Sequence, residues 1–409
     1  MELFKNTDFD FLGKKWPFII ASLILSTAGI TSIIVKGGLK YGIDFRGGAL
    51  MTVQFSSNPP IDQIRSAMSR KIRGEVTVQS FTGANAQNQV EIGTELQEER
   101  QMDRSRQAME DVLRGAFGSS DPSKPDLNNI GRAELASSLR DPLARNNVPI
   151  SDQQLATLAG SVEDYINSHY SGLVTDFNQL SGAPGMTPAI LNTVRQTFSL
   201  SRYHVMSVET VGPKVGVELR RKAVLATLYA LGGMLVYIAF RFEWIYGLGA
   251  VIACFHDTII TIGLFSIFNK EISMTVIAAL LTLVGYSMND TIVIFDRIRE
   301  NLKLLRREPL ESLMNKSVNQ TLSRTVMTSG LTFLTVIALF IWGGPVLHSF
   351  SFALVCGIIV GTYSSVFVAS PIVLFWHRYT DKPRKGGAAA PVAVRPPEGA
   401  RKSPARAGK

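Results

Sequence analysis

The sequence predicts a polytopic α-helical membrane protein with six transmembrane helices and an α+β, ferredoxin-like outer domain carrying a helical insertion. Three observations lead there. The 409 residues are 46% hydrophobic and 18% charged, with mean hydropathy +0.15, too apolar a balance for a soluble globular chain. The apolar residues are gathered into six blocks near or above the ~18 residues that a spanning helix needs. Between the first and second blocks lies a long polar segment whose strand and helix periodicities follow one another in the order βαββαβ.

Residues 1–15 form a short N-terminal segment and 16–35 the first span. A cleaved signal peptide would need a small-x-small site after its apolar stretch. Here Lys36, Gly37, Gly38, Leu39 and Lys40 follow instead, so the span reads as an uncleaved anchor. The outer segment, 36–222, opens with a strand over 48–56, a helix over 60–72 and a strand over 75–81. A third strand, 87–95, follows an Asn-rich turn, an amphipathic helix covers 96–117, and a last strand covers 203–212. Residues 118–200 are not needed by that unit. They begin with turn-forming residues and continue with short helical patterns, the clearest having Ser151 as N-cap ahead of Leu155, Leu158, Val162 and Ile166 on one stripe. We read a small helical insertion; the Pro, Asn, Ser and Gly content would also permit disorder. The remaining spans are 223–240, 245–268, 272–295, 325–341 and 349–375, the last long enough to tilt. A loop over 296–324 and a basic tail over 376–409, low in complexity from Lys382, complete the chain.

Orientation follows from Lys and Arg in the short flanks. Lys5, Lys14 and Lys15 precede the first span, and the 296–324 loop holds Arg297, Arg299, Lys303, Arg306, Arg307, Lys316 and Arg324. The short loops on the other side hold Lys270 alone. Both termini are therefore expected in the cytoplasm and the 36–222 segment outside. The net charge of +9 is local. The outer segment has 21 basic and 20 acidic residues, while the tail from Trp376 has nine basic against two acidic. Such a charge marks topology and affinity for anionic membrane lipids, and does not point to nucleic acid. The two cysteines, Cys254 and Cys356, sit inside spans three and six, which leaves the outer segment without a disulfide and the chain without a Cys/His metal site.

Polar residues stand out where they are expensive. A charge at bilayer depth costs at least ~2.5–3.5 kcal/mol, so such residues face a partner or a wet cavity. Asp257 lies mid-way along span three, on a stripe with Ala250, Ala253 and Thr261. His256 beside it is expected on another helix face, in the core or at an interface. Asn289 and Asp290 lie in span four near Thr282 and Gly285, with Asp290 about 9 Å inside the cytoplasmic exit at 1.5 Å per residue. Arg324 opens span five from the same side, and Thr328, Thr332 and Thr335 continue its face, so an Asp290–Arg324 pair is expected with a hydroxyl-lined face beyond it. Static ion pairing for Asp290, a neutral hydrogen-bonded Asp257 and a snorkelling Arg324 are the competing structural readings. Ala353, Gly357, Gly361, Ser365 and Ala369 repeat every four residues on span six and form a close-packing face. The Asp44–Gly48 stretch lacks the Gly-Lys-Ser/Thr ending of a phosphate loop.

These motifs occur together in one order: Tyr41–Gly48, Val211–Leu219, Phe240–Trp244, His256–Gly263, Gly285–Asn301, Thr321–Gly330 and Gly343–Ser351. In that order the chain resembles the SecD/SecF family of bacterial protein export, within the resistance-nodulation-division superfamily, and specifically its smaller SecF members. The resemblance implies a subunit of the bacterial cytoplasmic membrane, with a periplasmic outer domain, that uses the proton gradient and no cofactor to assist late steps of export. It implies SecD as partner, the SecYEG channel, a YajC-like or YidC-like membrane subunit, and unfolded secretory proteins as substrate. It assigns the proton-pathway carboxylate to Asp290 and the essential arginine to Arg324, with Asp257 a further membrane carboxylate and Asn289 beside the first. Gly42, Asp44, Gly47 and Gly48 match the family's glycine motif. The 118–200 insertion departs from the shorter outer domain expected of the family. Two alternatives share the charge logic: half of a proton-driven small-molecule exporter, and a structural assembly subunit without coupling. No HExxH, G-x-S-x-G or paired catalytic carboxylates outside the membrane suggest an enzyme.

Overall fold

The computed structural model describes residues 7–380 apart from 73, 81–87, 96–101, 120, 242–243 and 306. The basic tail beyond residue 380 and the start of the helix expected over 96–117 lie outside the described residues. The outer domain contains β1 (Gly48–Phe55), β2 (Val76–Ser80), β3 (Gln89–Glu95) and β4 (Tyr203–Val211) in the antiparallel order β2-β3-β1-β4, the ferredoxin-like arrangement. Alternation decides its faces. Ala49, Met51, Val53 and Phe55 of β1 point to a core filled by Ile64 and Met68 of α3 (Ile61–Lys71) and Met109, Val112 and Leu113 of α4 (Met102–Phe117). The opposite face carries Leu50, Thr52, Gln79, Glu91 and Glu209, and it is turned toward the outer ends of the membrane helices.

The insertion builds a second core of its own from α5 (Arg132–Arg145), α6 (Asp152–Tyr170) and α7 (Pro188–Thr197). Ser151 caps α6 in a reciprocal box with Gln154, and Leu155, Leu158, Val162 and Ile166 are buried. Asn128 locks this unit to the start of β4, its side chain donating to the carbonyls of Val174 (2.9 Å) and Ser201 (3.0 Å) and accepting from the Val174 amide.

Among the described residues, six helices are long and apolar enough to cross a membrane. They are α1 (Lys15–Val35), α8 (Pro213–Arg241), α9 (Trp244–Ile267), α10 (Met274–Leu304), α11 (Leu310–Trp342) and a broken sixth, α12 (Gly344–Ser364) and α13 (Ser370–Thr380) joined by a π turn, Ser365–Ala369. They depart from the sequence expectation in three ways. The second helix starts at Pro213, ten residues before the apolar block at 223, because its charged first turns stand outside the membrane. The expected 296–324 loop is mostly helix, α10 and α11 running on through it to leave a link over 305–309. The sixth span is interrupted. Hydropathy marks where a helix leaves the membrane, whereas backbone hydrogen bonding decides where it ends.

The centre of the bundle is α9, α10 and α12, with α1, α8 and α11 around them. Small residues set the spacing: Cβ atoms built on Gly29 of α1 or Gly263 of α9 would lie 2.7 Å from the other's Cα. The N-terminal segment is docked, with Leu12 fully buried. The Phe9 amide donates to Asn319 and the Phe11 amide to Asn315 of α11, and Lys15 pairs with Glu311 at 2.6 Å.

The glycine motif forms the joint between the two halves. Ile272, ahead of α10, exchanges backbone bonds with Gly42 (2.9 Å) and Lys40 (2.8 Å). The Asp44 carboxylate accepts from the Met274 amide at 2.8 Å, capping α10. The chain then makes a single helical turn, α2 (Ile43–Arg46), and passes hard against the start of α8. Gly47 has φ +80°, and a Cβ there would sit 2.6 Å from the Pro213 Cα; at Gly48 it would meet the Thr94 carbonyl at 2.3 Å. Gly47→Ala therefore meets both a positive-φ, extended-ψ backbone (φ +80°, ψ 142°) that side chains rarely adopt, ~1–3 kcal/mol, and a backbone collision. Gly37, also at positive φ (+75°) but with nothing within 4 Å of such a Cβ, is the uncrowded comparison. In thermal unfolding of the detergent-solubilised protein we expect Gly47→Ala to melt clearly below Gly37→Ala. Equal shifts would mean that the crossing at Pro213 is not tight.

Candidate functional site

The membrane core contains two buried carboxylates, each held by serine hydroxyls from neighbouring helices. Asp257 of α9 is 1% exposed. Its Oδ2 accepts from Ser287 of α10 (2.5 Å) and Ser364 of α12 (2.8 Å), and its Oδ1 lies 2.9 Å from His256 Nδ1. One side chain thus ties three helices together. Asp290 of α10 is 2% exposed, and its Oδ2 accepts from Ser329 of α11 at 2.7 Å. Ser287 and Asp290 are three residues apart on α10, so neighbouring stripes of one helix serve both groups. The small stripe on the sixth helix permits this approach. Gly357 packs on Leu283, and a Cβ at Gly361 would lie 3.2 Å from Ser287 Cβ. Ala353 and Ser365 are fully buried on that stripe.

The expected Asp290–Arg324 ion pair does not form; among the described residues, no Lys or Arg lies within ion-pair distance of Asp290. The reason is angular. Ser329 faces Asp290, and Arg324, five residues earlier, is rotated about 140° from it and about 7.5 Å nearer the N-terminal end of α11. Arg324 is exposed, though its charge is within electrostatic reach of the carboxylate. Asn289 is exposed as well, one residue round α10 from Asp290. The Thr328, Thr332 and Thr335 hydroxyls bond back to their own helix, at the carbonyls of Arg324, Thr328 and Leu331. Thr332 also accepts from the Tyr286 hydroxyl at 3.1 Å, and Thr328 and Thr335 face outward. His256 lies one residue round α9 from Asp257, but its ring turns back to the carboxylate.

Ser287, Ser329 and Ser364 are the residues that sequence reasoning missed. In sequence they look like small packing residues. The available signal was spacing: Ser287 is three residues from Asp290, and Ser364 adjoins the small stripe.

A second polar region lies at the joint. Glu91 and Glu209 of the sheet, Asp44, Lys270, Glu271 and His348 line a cavity of about 150 Å³ between the sheet and the outer helix ends. Gln79 donates to Glu271 across it at 3.3 Å. Burial, with Glu271 and Glu209 adding to it, pushes Glu91 up to about 7. Glu271 is also raised, chiefly by burial, against the opposing influence of Lys40 and Arg46.

With this geometry in view, comparison with known proteins is direct. Residues 190–379 match the family of the SecD/SecF protein export membrane protein, C-terminal region, and residues 32–59 match the SecD/SecF GG motif. A protein translocase subunit SecF from Koribacter versatilis is 47% identical over 96% of both chains. The chain belongs to the SecD/SecF family. A SecF subunit from Calditerrivibrio nitroreducens is 37% identical over 91% of this chain and 96% of its own. The crystal structure of SecDF from Thermus thermophilus, described as a translocon-associated membrane protein, superposes with a TM-score of 0.60 at 32% identity. That match covers 91% of this chain and 39% of the larger one. Membership makes this chain a multi-pass membrane subunit of the protein-export machinery. The SecD/SecF GG motif coincides with the glycine joint, which holds Gly42, Asp44, Gly47 and Gly48.

The joint carries a pH dependence with a definite sign. Because folding raises Glu91 from 4.5 to about 7, its stabilising contribution is complete below 4.5 and is lost as pH rises through about 7. At ~1.4 kcal/mol per unit this amounts to on the order of 3 kcal/mol. Wild type is expected to melt lower at about pH 8 than at about pH 5.5, and Glu91→Gln to flatten most of that slope, leaving the part due to Glu271. An unchanged slope in Glu91→Gln would remove Glu91 from the joint's titration.

Proposed function

We propose that this chain is the SecF-type half of a SecD–SecF complex, in which protonation of Asp290 drives movements that assist export of unfolded secretory proteins through the SecYEG channel. The observation that carries the reading is Asp290 itself: a carboxylate buried within a membrane-spanning helix and held by one serine hydroxyl, with no Lys or Arg among the described residues at ion-pair distance. Burial penalises its charged form and the nearby arginine favours it, so modest rearrangement changes its protonation state. Protonation weakens the charge-assisted bond from Ser329 and so loosens α10 from α11. The helix α10 is capped at its outer end by Asp44, and a shift of it is felt at the root of β1. A proton crossing the membrane supplies about 2.3 kcal/mol per 100 mV, enough over a few protons to bias a two-state outer domain.

The exposed stripe of Arg324, Thr328 and Thr335 on α11 is polar where lipid would be unfavourable, which suits a partner helix from SecD. A relative named protein translocase subunit SecDF, from Thermus thermophilus, is 55% identical over 42% of this chain, in keeping with that pairing. Asp257 serves as a further carboxylate of the same pathway, and Asn289 stands at the partner side. The flanking charges support cytoplasmic termini, a periplasmic sheet domain and residence in the bacterial inner membrane. A YajC-like or YidC-like subunit is the further partner that this placement allows.

The test is export of a secretory precursor in membrane vesicles, with and without a proton gradient. Wild type is compared with Asp290→Asn and Arg324→Met at matched abundance and with SecD present. Both variants are expected to lose the gradient-dependent increment and to keep the gradient-independent remainder. Retention of the full increment by Asp290→Asn would leave the carboxylate a packing element and the chain a structural subunit.

A further inference from the structure

We propose that His256 and Asp257 form a second proton-accepting pair that acts on the bundle through the π turn of the sixth helix. The proposal rests on the proton-coupled reading above and adds a site to it.

The groups facing Asp257 are hydroxyls, one thiol and one imidazole. Ser287 comes from α10 and Ser364 from α12, Cys254 and Tyr363 lie close enough to feel its charge, and His256 comes from its own helix. From α1, Ser22 reaches Tyr363 at 2.9 Å. No lysine or arginine among the described residues comes within ion-pair distance of it. The charge is therefore balanced by hydrogen bonds and by whatever proton the histidine holds.

The histidine has an unused nitrogen. Nδ1 is engaged by the carboxylate at 2.9 Å, while Nε2 is buried and has no hydrogen-bond partner among the described residues. The ring lies edge-on to Tyr363, 6.0 Å between centroids, which holds its orientation. With the ring neutral and Nδ1–H donating, the Nε2 lone pair is the open position. A proton taken from hydronium forms an N–H bond there and leaves water behind. The Nδ1 proton then passes to Asp257 Oδ1, and the pair becomes a neutral carboxylic acid beside a neutral ring protonated at Nε2. The net charge goes from −1 to zero without a separate counter-ion.

The response is built into the same contacts. Ser287 and Ser364 both donate to Oδ2, and such bonds are roughly twice as strong to an ionised acceptor as to a neutral one. Ser364 is the last residue before the π turn Ser365–Ala369, where Ser370 Oγ bonds to the Ser365 carbonyl at 3.0 Å. A π turn stores one extra residue, and such bulges gather at functional sites. Protonation of the pair loosens the anchor at its edge, so the extra residue is free to move along the sixth helix. The other serine sits on α10 one turn from Asp290, so that helix registers both carboxylates.

Infrared difference spectroscopy of the reconstituted chain between high and low pH, together with export assays, tests this. We expect a protonated-carboxyl band in wild type that persists in Asp290→Asn and disappears in Asp257→Asn. His256→Gln should weaken the band and lower the gradient-dependent export increment with it. Ser364→Ala should keep the band but lower the gradient-dependent increment. Labelled histidine in the wild-type chain gives a check without substitution: the ring proton should move from Nδ1 to Nε2 as the band appears. A band untouched by Asp257→Asn, or a His256 ring whose proton does not move with it, overturns the pair. Neither result bears on Asp290, whose own test is the export increment.

Discussion

A carboxylate carried into the hydrocarbon has to be given hydrogen-bond donors by the protein, because neither lipid nor bulk water supplies them there. In this chain the donors to Asp257 and Asp290 are chiefly serines, and a serine reaches only a short way. The helices must therefore approach closely, and the rest of the bundle is arranged around that need. Gly357 and Gly361 bring the sixth helix against α10, and Gly29 and Gly263 do the same for α1 and α9. A longer donor, such as lysine or arginine, would have relaxed the spacing but would have fixed the charge. Hydroxyls leave the protonation state open.

The α10 helix connects the regions of the molecule. Its 31 residues span about 46 Å. At the outer end Asp44 caps it beside the sheet, and in the middle it carries Ser287 and Asp290. Near its C-terminal end Asn301 donates to Ser317 and Gln320 of α11, both at 2.8 Å. That same α11 holds the N-terminal segment through Asn315 and Asn319. A displacement anywhere along α10 meets a directional bond at each level, and the joint at its top is itself sensitive to protons through Glu91 and Glu271. Intramembrane chemistry and outer-domain position thereby share one rigid element.

Much of this was legible in the chain alone. The six apolar blocks and the βαββαβ order carry the architecture, since burial in lipid and alternation across a sheet both write themselves into local composition. Asp257 and Asp290 stand out because a charge in an apolar run is costly wherever it points. Their partners do not stand out. Serine is as much at home in a helix interface as at a carboxylate, so Ser287, Ser329 and Ser364 carry no local mark. Arg324 misled for the opposite reason: opposite charges on adjacent spans invite pairing, but the rotation of α11 presents Ser329 to Asp290 instead. His256, one residue from Asp257, belongs by helical spacing on another face, yet its side chain bends back to it.

Local composition and periodicity were enough to give six apolar spans, a ferredoxin-like order for the sheet and the places where ionisable groups fall within the spans. These depend on transfer from water and on spacing, which are properties of a residue and its near neighbours. Which hydroxyl meets which carboxylate, where the sixth helix breaks into a π turn, and the closing of the sheet's open face over an acidic cavity emerge from the packed molecule alone. Those depend on the rotation and close approach of helices distant in the chain, with tolerances of a few tenths of an ångström that no local pattern encodes.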